Sequence, residues 1–325
     1  MKASRILWAS LTLAAASTAA SAQSTVNLYG LIDLSIGRTQ APGGAATKGV
    51  DSGKMTTSYW GVRGTEDLGG GLKAQYALES FMRADTGAAG RFNADTLWAR
   101  NAYVGIESPA FGTVTIGRNT TTLFVQTLLF NALGDSFGFS PSIRHYFTSG
   151  TVSGDTGWSD SIRWALPRFG GVGVVLSGAL PEGNGGRNVG ASASYASGKL
   201  GTGLAWQKVK KGAADPDTTT WQLAGSYDLG VAKLFGQYGQ VDNDTTGMGY
   251  KITGIGATAP FGPAGVLRAQ WGQLKPDAGA KRTTLTLGYS HNLSKRTELY
   301  GALMDDKLSG LKSGRNLSVG VRHRF

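Results

Sequence analysis

Apolar and polar side chains alternate one for one along most of this chain, and that period limits what it can fold into. Val26, Leu28, Gly30, Ile32, Leu34 and Ile36 share one face of the first patterned segment, while Asn27, Tyr29, Asp33 and Ser35 share the other. A period of two belongs to a strand, whose successive side chains point to opposite faces. The pattern returns at the far end, where Leu317, Val319, Val321, His323 and Phe325 alternate with Asn316, Ser318, Arg322 and Arg324. Sixteen such segments can be marked, starting near residues 24, 55, 71, 96, 111, 159, 171, 187, 200, 217, 231, 248, 264, 280, 295 and 313.

The connections between segments are of two kinds, and the kinds alternate. Glu66 to Gly70, Ser108 to Gly112, Phe169 to Gly171, Asp228 to Gly230 and Asn292 to Ser294 are tight. Arg38 to Lys54, Lys210 to Asp217, Asp242 to Gly249 and Asp305 to Lys312 are longer, polar and rich in Gly, Asp and Lys. The longest connection runs from Arg118 to about Ser159. Gly, Asn and Asp supply the backbone angles that turns require.

The first 22 residues stand apart from this pattern. Lys2 and Arg5 precede an apolar run from Ile6 to Ala16, and Ala20-Ser21-Ala22 ends it with small residues. This is the layout of an export signal, too short for a membrane-spanning helix. Residues 1–22 are therefore expected to be a cleaved signal peptide, and 23–325 a single β-barrel domain. Cleavage leaves 30 basic against 21 acidic side chains, an excess of +9. Beyond residue 22 no apolar run reaches the length of a spanning helix.

An even number of strands, short turns at one end and long polar loops at the other describe an all-β, 16-stranded antiparallel transmembrane β-barrel. Lipid offers no hydrogen-bond partner, so a sheet there must close on itself. Sixteen strands enclose an aqueous channel, whereas eight would be filled by side chains. Arg63, Arg100, Arg163, Lys233, Arg268 and Arg322 lie inside patterned segments. In a barrel they must face the lumen, because a midplane Lys or Arg facing lipid costs ~2–4 kcal/mol. Tyr227, Tyr238, Tyr289 and Trp271 suit an interfacial girdle and, equally, ordinary strand preference.

Several stretches carry a family resemblance. They are Val26-Asn27-Leu28-Tyr29-Gly30, Ser58 to Gly69 (SYWGVRGTEDLG), Gly71-Leu72-Lys73-Ala74, Arg100 to Gly105 (RNAYVG), Phe111 to Asn119 (FGTVTIGRN) and the terminal Phe325. Together they resemble the trimeric general porins of Gram-negative outer membranes, most of all those of β-proteobacteria. The resemblance implies a homotrimer with three pores, a third extracellular loop folded into each pore, and Phe325 as an assembly signal. It matches Arg100 to a wall arginine and Arg63 to a wall lysine. Two further wall cations of the family are replaced here by Leu31 and Tyr59. The loop motif reads Asp135-Ser136-Phe137-Gly138, with serine where the family has glutamate. The expected constriction is thus Tyr59, Arg63, Arg100, Arg118 and Arg163 on the wall, with Asp135 and Arg144 on the loop. Gly134 and Gly138 allow that loop to fold back, and Leu128-Leu129-Phe130 packs either on the inner wall or at a subunit contact.

The chemistry expected of such a pore is permeation, with selection by fixed charge. Asp135 is the only acid between Glu107 and Asp155, so the wall arginines should be largely uncompensated. Weak to moderate anion selectivity follows, for small hydrophilic solutes and inorganic ions, in a setting of outer-membrane lipid and lipopolysaccharide. A substrate-specific outer-membrane channel is the alternative. Catalysis is not expected. The chain has no cysteine and only His145, His291 and His323, no GxSxG stretch and no HExxH helix. His145 near Ser142 and Ser149 is the only loop pairing that could suggest a hydrolase. No cofactor is implied. Asp242, Asp244, Asp305 and Asp306 read either as solvated loop acids or as cation ligands. The basic excess carries no Lys/Arg run with interleaved aromatics, so nucleic acid is not an expected partner.

Overall fold

The computed structural model describes residues 25–181, 186–211 and 215–325. The expected signal peptide lies outside the described residues. In chain order the elements are β1 (Thr25–Gln40), β2 (Ala46–Ser52), β3 (Tyr59–Gly69), β4 (Leu72–Arg83), β5 (Ala88–Ala89), β6 (Asn101–Ser108), β7 (Gly112–Thr120), α1 (Thr122–Leu129), α2 (Pro141–Phe147), β8 (Gly157–Ala165), β9 (Val172–Ala179), β10 (Asn188–Ser197), β11 (Leu200–Val209), β12 (Thr218–Asp228), β13 (Lys233–Asn243), β14 (Gly249–Phe261), β15 (Gly265–Pro276), β16 (Arg282–Asn292), β17 (Thr297–Leu308) and β18 (Gly314–Arg324).

Every pairing is antiparallel, and β18 returns to β1 in a ladder from Leu31↔Arg324 to Arg38↔Leu317. That ladder closes the sheet and removes its edges. The 18 strands make sixteen staves among the described residues. β2 and β3 both pair with β1 and form one stave with an interruption. β5 is a two-residue appendage on Met82 and Arg83.

The interruption at residues 53–58 is held by a side chain. Asp33 Oδ2 accepts the N–H groups of Met55 (2.7 Å) and Thr56 (2.8 Å), and Asp33 Oδ1 accepts from Tyr300 Oη at 2.7 Å. One carboxylate thereby replaces missing ladder bonds.

Burial runs inside out relative to a soluble protein. On β16, Thr284 and Thr286 are fully buried while their neighbours Leu285 and Leu287 are 45% and 51% exposed. The apolar exterior faces lipid and the polar interior faces the lumen. The tight turns and the strand starts agree with the alternation to within a few residues, except at β6, which begins at Asn101 rather than near 96 and leaves Arg100, read as mid-strand, just outside the strand, and in the second stave. There the expected loop from Arg38 to Lys54 is instead a hairpin, since β1 runs on to Gln40 and β2 begins at Ala46. Most residues of β2 are exposed on both faces, so nothing demands a period of two. Lys233, read as mid-strand, is the first residue of β13, its ammonium 5.3 Å from the Phe235 ring.

The long connection after β7 lies inside the barrel and contains two helices that alternation could not announce. Thr121 Oγ1 caps α1 by accepting from Phe124 N at 3.3 Å, and Ser140 Oγ caps α2 by accepting from Ile143 N at 3.3 Å, with Pro141 in its first turn. His145 Nε2 is 3.0 Å from Thr284 Oγ1, and Thr286 Oγ1 donates to Phe139 O at 2.7 Å. Thr284 and Thr286 are lumen-facing, so these bonds place the segment against the inner wall.

The wall is carved to receive it. A Cβ at Gly203 would overlap the Gln126 amide, and one at Gly239 the Tyr146 hydroxyl. At Gly272 it would lie 2.6 Å from Pro141 Cβ, at Gly254 3.1 Å from Ser142 Oγ and at Gly256 3.1 Å from Ala132 Cβ. Five glycines on β11 and β13–β15 thus form a trough that α1, α2 and the turn between them occupy. Phe130 is buried with its ring 3.4 Å from the Cβ position of Gly201, which puts it on the inner wall; Leu129 is exposed.

Candidate pore constriction

The inward segment does not fill the lumen. Between its tip and the opposite wall lies a cavity of about 350 Å³. The tip contributes Ala132, Leu133, Gly134 and Asp135; the wall contributes Leu31, Thr56, Tyr59, Arg100, Arg268, Arg322 and Arg324 among others. Gly134 has φ of 56°, a left-handed angle that turns the tip into the lumen.

The arginines differ in their partners. Arg100 is bound to Glu79, which also accepts from Tyr29 Oη and Asn101 Nδ2. Arg322 Nη2 reaches both oxygens of Glu298, at 2.8 and 3.0 Å, and Arg322 Nη1 donates to Thr56 Oγ1 at 2.8 Å. Thr56 Oγ1 in turn donates to Asp135 Oδ1 at 3.0 Å. Arg268 donates to Ser290 Oγ at 3.1 Å. Arg268, Arg324 and Arg63 form no salt bridge among the described residues.

Aromatic rings order two of these cations. The Arg100 guanidinium sits 4.0 Å above the Tyr59 ring, and that of Arg63 sits 4.4 Å above Tyr29. Tyr29 and Tyr59 meet edge to face with centroids 6.2 Å apart. The four groups form one stack down this side of the lumen, with ring faces turned to the guanidinium groups.

Of the residues expected here, the structure brings Tyr59, Arg100 and Asp135 to one cavity and stacks Arg63 beside it. It does not bring Arg118, Arg144 or Arg163. A register shift between Gly117 and Asn119 displaces Arg118. Its Nε donates to Ala99 O at 2.6 Å, and its Nη2 binds Asp155 at 2.5 Å. Arg91 grips the same carboxylate at 2.7 and 2.8 Å. Burial acts to raise the Asp155 pKa, but the Arg91 hydrogen bonds and the charges of Arg91 and Arg118 outweigh it and hold the group below the usual carboxylate range. Arg144 binds Asp306 at 3.0 Å and lines a different cavity of about 260 Å³, with Lys54 and Phe137. Arg163 lines a third.

The counter-charges, expected only on the loop, stand on the wall as Glu79 and Glu298. Glu298 is the direct register partner of Arg322. Glu79 shares the inward face of β4 with Ala77, both buried, while Leu78 between them is exposed. The alternation was therefore a usable signal for Glu79; pairing Glu298 with Arg322 required the register.

Hydrolase chemistry finds no geometry here. Ser142 Oγ is engaged by Gln237 and Gln270, and Ser149 Oγ lies 3.0 Å from Arg282 Nη1, while His145 turns to Thr284. Of the four acids read as loop residues, Asp244 is matched by Lys208 at 3.0 Å, while Asp305 and Asp306 lie on β17 rather than in a loop, Asp305 beside Arg315 at 3.4 Å and the buried Asp306 beside Arg282 at 2.5 Å. No group of three or more His, Asp or Glu is placed to hold a metal among the described residues.

A closed barrel, apolar outside, with a charged gap beside an inward segment, defines a channel-forming protein of the outer membrane. The family model for Gram-negative porins matches residues 9–311, and the chain belongs to that family. It is 34% identical to outer membrane porin protein 32 of Delftia acidovorans, over 97% of this chain and 98% of that one. It is 26% identical to an outer membrane porin protein of Bordetella pertussis (strain Tohama I), over 99% and 100%. Among solved structures, the anion-selective porin from Comamonas acidovorans superposes with a TM-score of 0.81 at 29% identity, covering 93% of this chain and all of that one. The trimer form of OmpT from Vibrio cholerae shares the fold, with a TM-score of 0.72 at 16% identity over 93% and 99%. The chain is accordingly an outer-membrane porin, a channel protein and not an enzyme.

Proposed function

We propose that this porin is a weakly to moderately anion-selective diffusion channel whose constriction is the gap between Asp135 and the wall arginines. The observation that carries the reading is the unequal pairing of those arginines. Glu79 and Glu298 compensate Arg100 and Arg322, while Arg268 and Arg324 face the gap with no acid bound to them among the described residues. Two unit charges 4 Å apart interact by ~1 kcal/mol in bulk water and ~4 kcal/mol at an effective dielectric of 20, so one or two unmatched cations bias permeation several-fold. A relative described as anion-selective supports the same sign.

The compensation by wall acids replaces the largely uncompensated ring expected from sequence, and it makes the preference modest. Arg63 adds to the field through its stack on Tyr29. Arg118, Arg144 and Arg163 act elsewhere in this reading. The assembly is a homotrimer in lipid and lipopolysaccharide, supported by a trimeric neighbour of the same fold. Phe325 serves as the assembly signal. Its backbone N–H and C=O both pair with Gly30 at 3.2 Å, so the last residue also completes the closing ladder.

The test is the reversal potential of purified protein in a planar bilayer under a tenfold KCl gradient. Stepwise conductance with reversal on the anion side is expected. Reversal on the cation side would overturn the constriction account while leaving the porin intact.

A further inference from the structure

Beside α1, on the β4–β8 side of the lumen, is a recess of about 380 Å³ that shares no residue with the constriction cavity. Its size falls in the range of small-molecule sites and far exceeds one inorganic anion. The side chains around it divide into two sets. Asn101, Thr115, Asn119 and Thr120 are spent on structure. Asn101 Oδ1 accepts from Thr120 N and Oγ1 at 3.1 and 3.0 Å, Thr115 Oγ1 donates to Asn119 Oδ1 at 2.7 Å, and Asn119 Nδ2 donates to Ser161 Oγ at 3.1 Å.

Gln75, Tyr103, Glu107, Thr113 and Arg163 form the second set. They line the same recess, and none makes a side-chain hydrogen bond to another described residue. The register explains why they converge. Gly105 is paired with Gln75 on one side and Thr115 on the other, and Tyr103 and Glu107 lie two residues away on its own face. A Cβ at Gly105 would lie 2.6 Å from Thr115 Cγ2, so the centre of this ring is bare. Thr115 is the partner of Arg163 on the next strand.

We propose that this recess binds a singly charged carboxylate carrying several hydroxyls, of monosaccharide size, that is, a sugar acid. The inference rests on the channel reading, because the recess opens on the lumen. The planar guanidinium of Arg163 matches a carboxylate. The Tyr103 phenol, the Gln75 amide and the Thr113 hydroxyl both donate and accept, as hydroxyls demand. Glu107, two strands from Arg163 in the sheet, accepts from a hydroxyl and repels a second negative charge, which disfavours dicarboxylates and phosphate esters. Held solute occupies part of the lumen, so binding reads out as a saturable loss of chloride current.

The experiment is chloride conductance of the reconstituted porin in 0.1 M KCl with sodium gluconate titrated from one side, against propionate as the probe that has the charge and no hydroxyls. Saturable block by gluconate and none by propionate is expected. Arg163→Gln should raise the half-blocking concentration about tenfold and Tyr103→Phe at least twofold, whereas Arg163→Lys should fall between wild type and Arg163→Gln. Arg268→Gln, in the constriction, should move the reversal potential and leave the half-blocking concentration in place. Equal saturable block by propionate, or an unchanged half-blocking concentration in a conducting Arg163→Gln channel, would overturn the recess and leave the porin standing. A folded wild-type protein without conductance would overturn the channel reading and the recess with it.

Discussion

Asp135 and Arg322 are joined through a single hydroxyl: Thr56 Oγ1 accepts from Arg322 Nη1 at 2.8 Å and donates to Asp135 Oδ1 at 3.0 Å. The loop acid and the wall cation therefore do not neutralise each other by contact. Thr56 sits in the interrupted stave, so the break between β2 and β3 positions the side chain that bridges them. Replacing Thr56 with Val keeps the shape and removes the bridge. Larger open-channel current fluctuations are expected in single-channel records, with a stability loss of about 1–3 kcal/mol for the stranded polar partners. Unchanged noise would show that the tip is held by other contacts.

Charge substitutions at the gap should act with opposite signs. Arg268→Gln removes an unpaired cation and should lower the chloride-to-potassium permeability ratio several-fold. Glu298→Gln frees Arg322 and should raise it. The second change breaks a buried pair, which costs about 3–5 kcal/mol, so its melting temperature should fall as well. Both selectivity effects should shrink in 1 M salt, where the Debye length is ~3 Å. Reversal potentials at two ionic strengths and a melting curve check these statements.

The trough gives a steric test with an internal control. At Gly272→Ala the new methyl meets Pro141 Cβ at 2.6 Å, a contact that α2 must yield to. A loss of about 1–3 kcal/mol and an altered single-channel conductance are expected. Gly236→Ala places a methyl where nothing lies within 4 Å and should leave both unchanged. If the two variants melt alike, the trough does not seat the loop.

Acid should loosen the base of the inward segment before the barrel. Asp155 is held below its ordinary pKa by Arg91 and Arg118 against the opposing effect of burial. A lowered folded pKa means its contribution is complete above the unfolded value near 3.8 and is lost as pH falls through the folded value. Protease nicking between residues 121 and 156 should therefore increase below about pH 4 and stay flat between about pH 5 and 8. Asp155→Asn should show the raised level at every pH.

The barrel was legible because lipid enforces its pattern. Strands expected from residues 200, 217, 248 and 313 start at Leu200, Thr218, Gly249 and Gly314. Where water bathes both faces, as in β2, the pattern lapses and the hairpin passed for a loop. The site was legible only in part. Arg100, Tyr59 and Asp135 could be placed by motif, but counter-charges depend on register. The Glu298 and Arg322 side chains meet across two strands whose pairing no local pattern states. The helices of the inward segment were hidden for a different reason. α1 buries Thr122, Gln126 and Thr127 with Leu123, and α2 buries Ser142 and His145 with Ile143 and Tyr146, so polar side chains share the buried faces and no apolar stripe marks the helices.

The glycine trough also bears on transplantation. Residues 121–156 owe their position to side chains that five wall residues do not have, so the information for the segment's path is divided between the segment and its host. Moved into another sixteen-stave barrel with ordinary residues at those wall positions, the same stretch would be held off the wall by about one methyl's width at α1, at α2 and at the turn between them. A graft would have to carry the missing side chains with it, as five substitutions to glycine in the recipient.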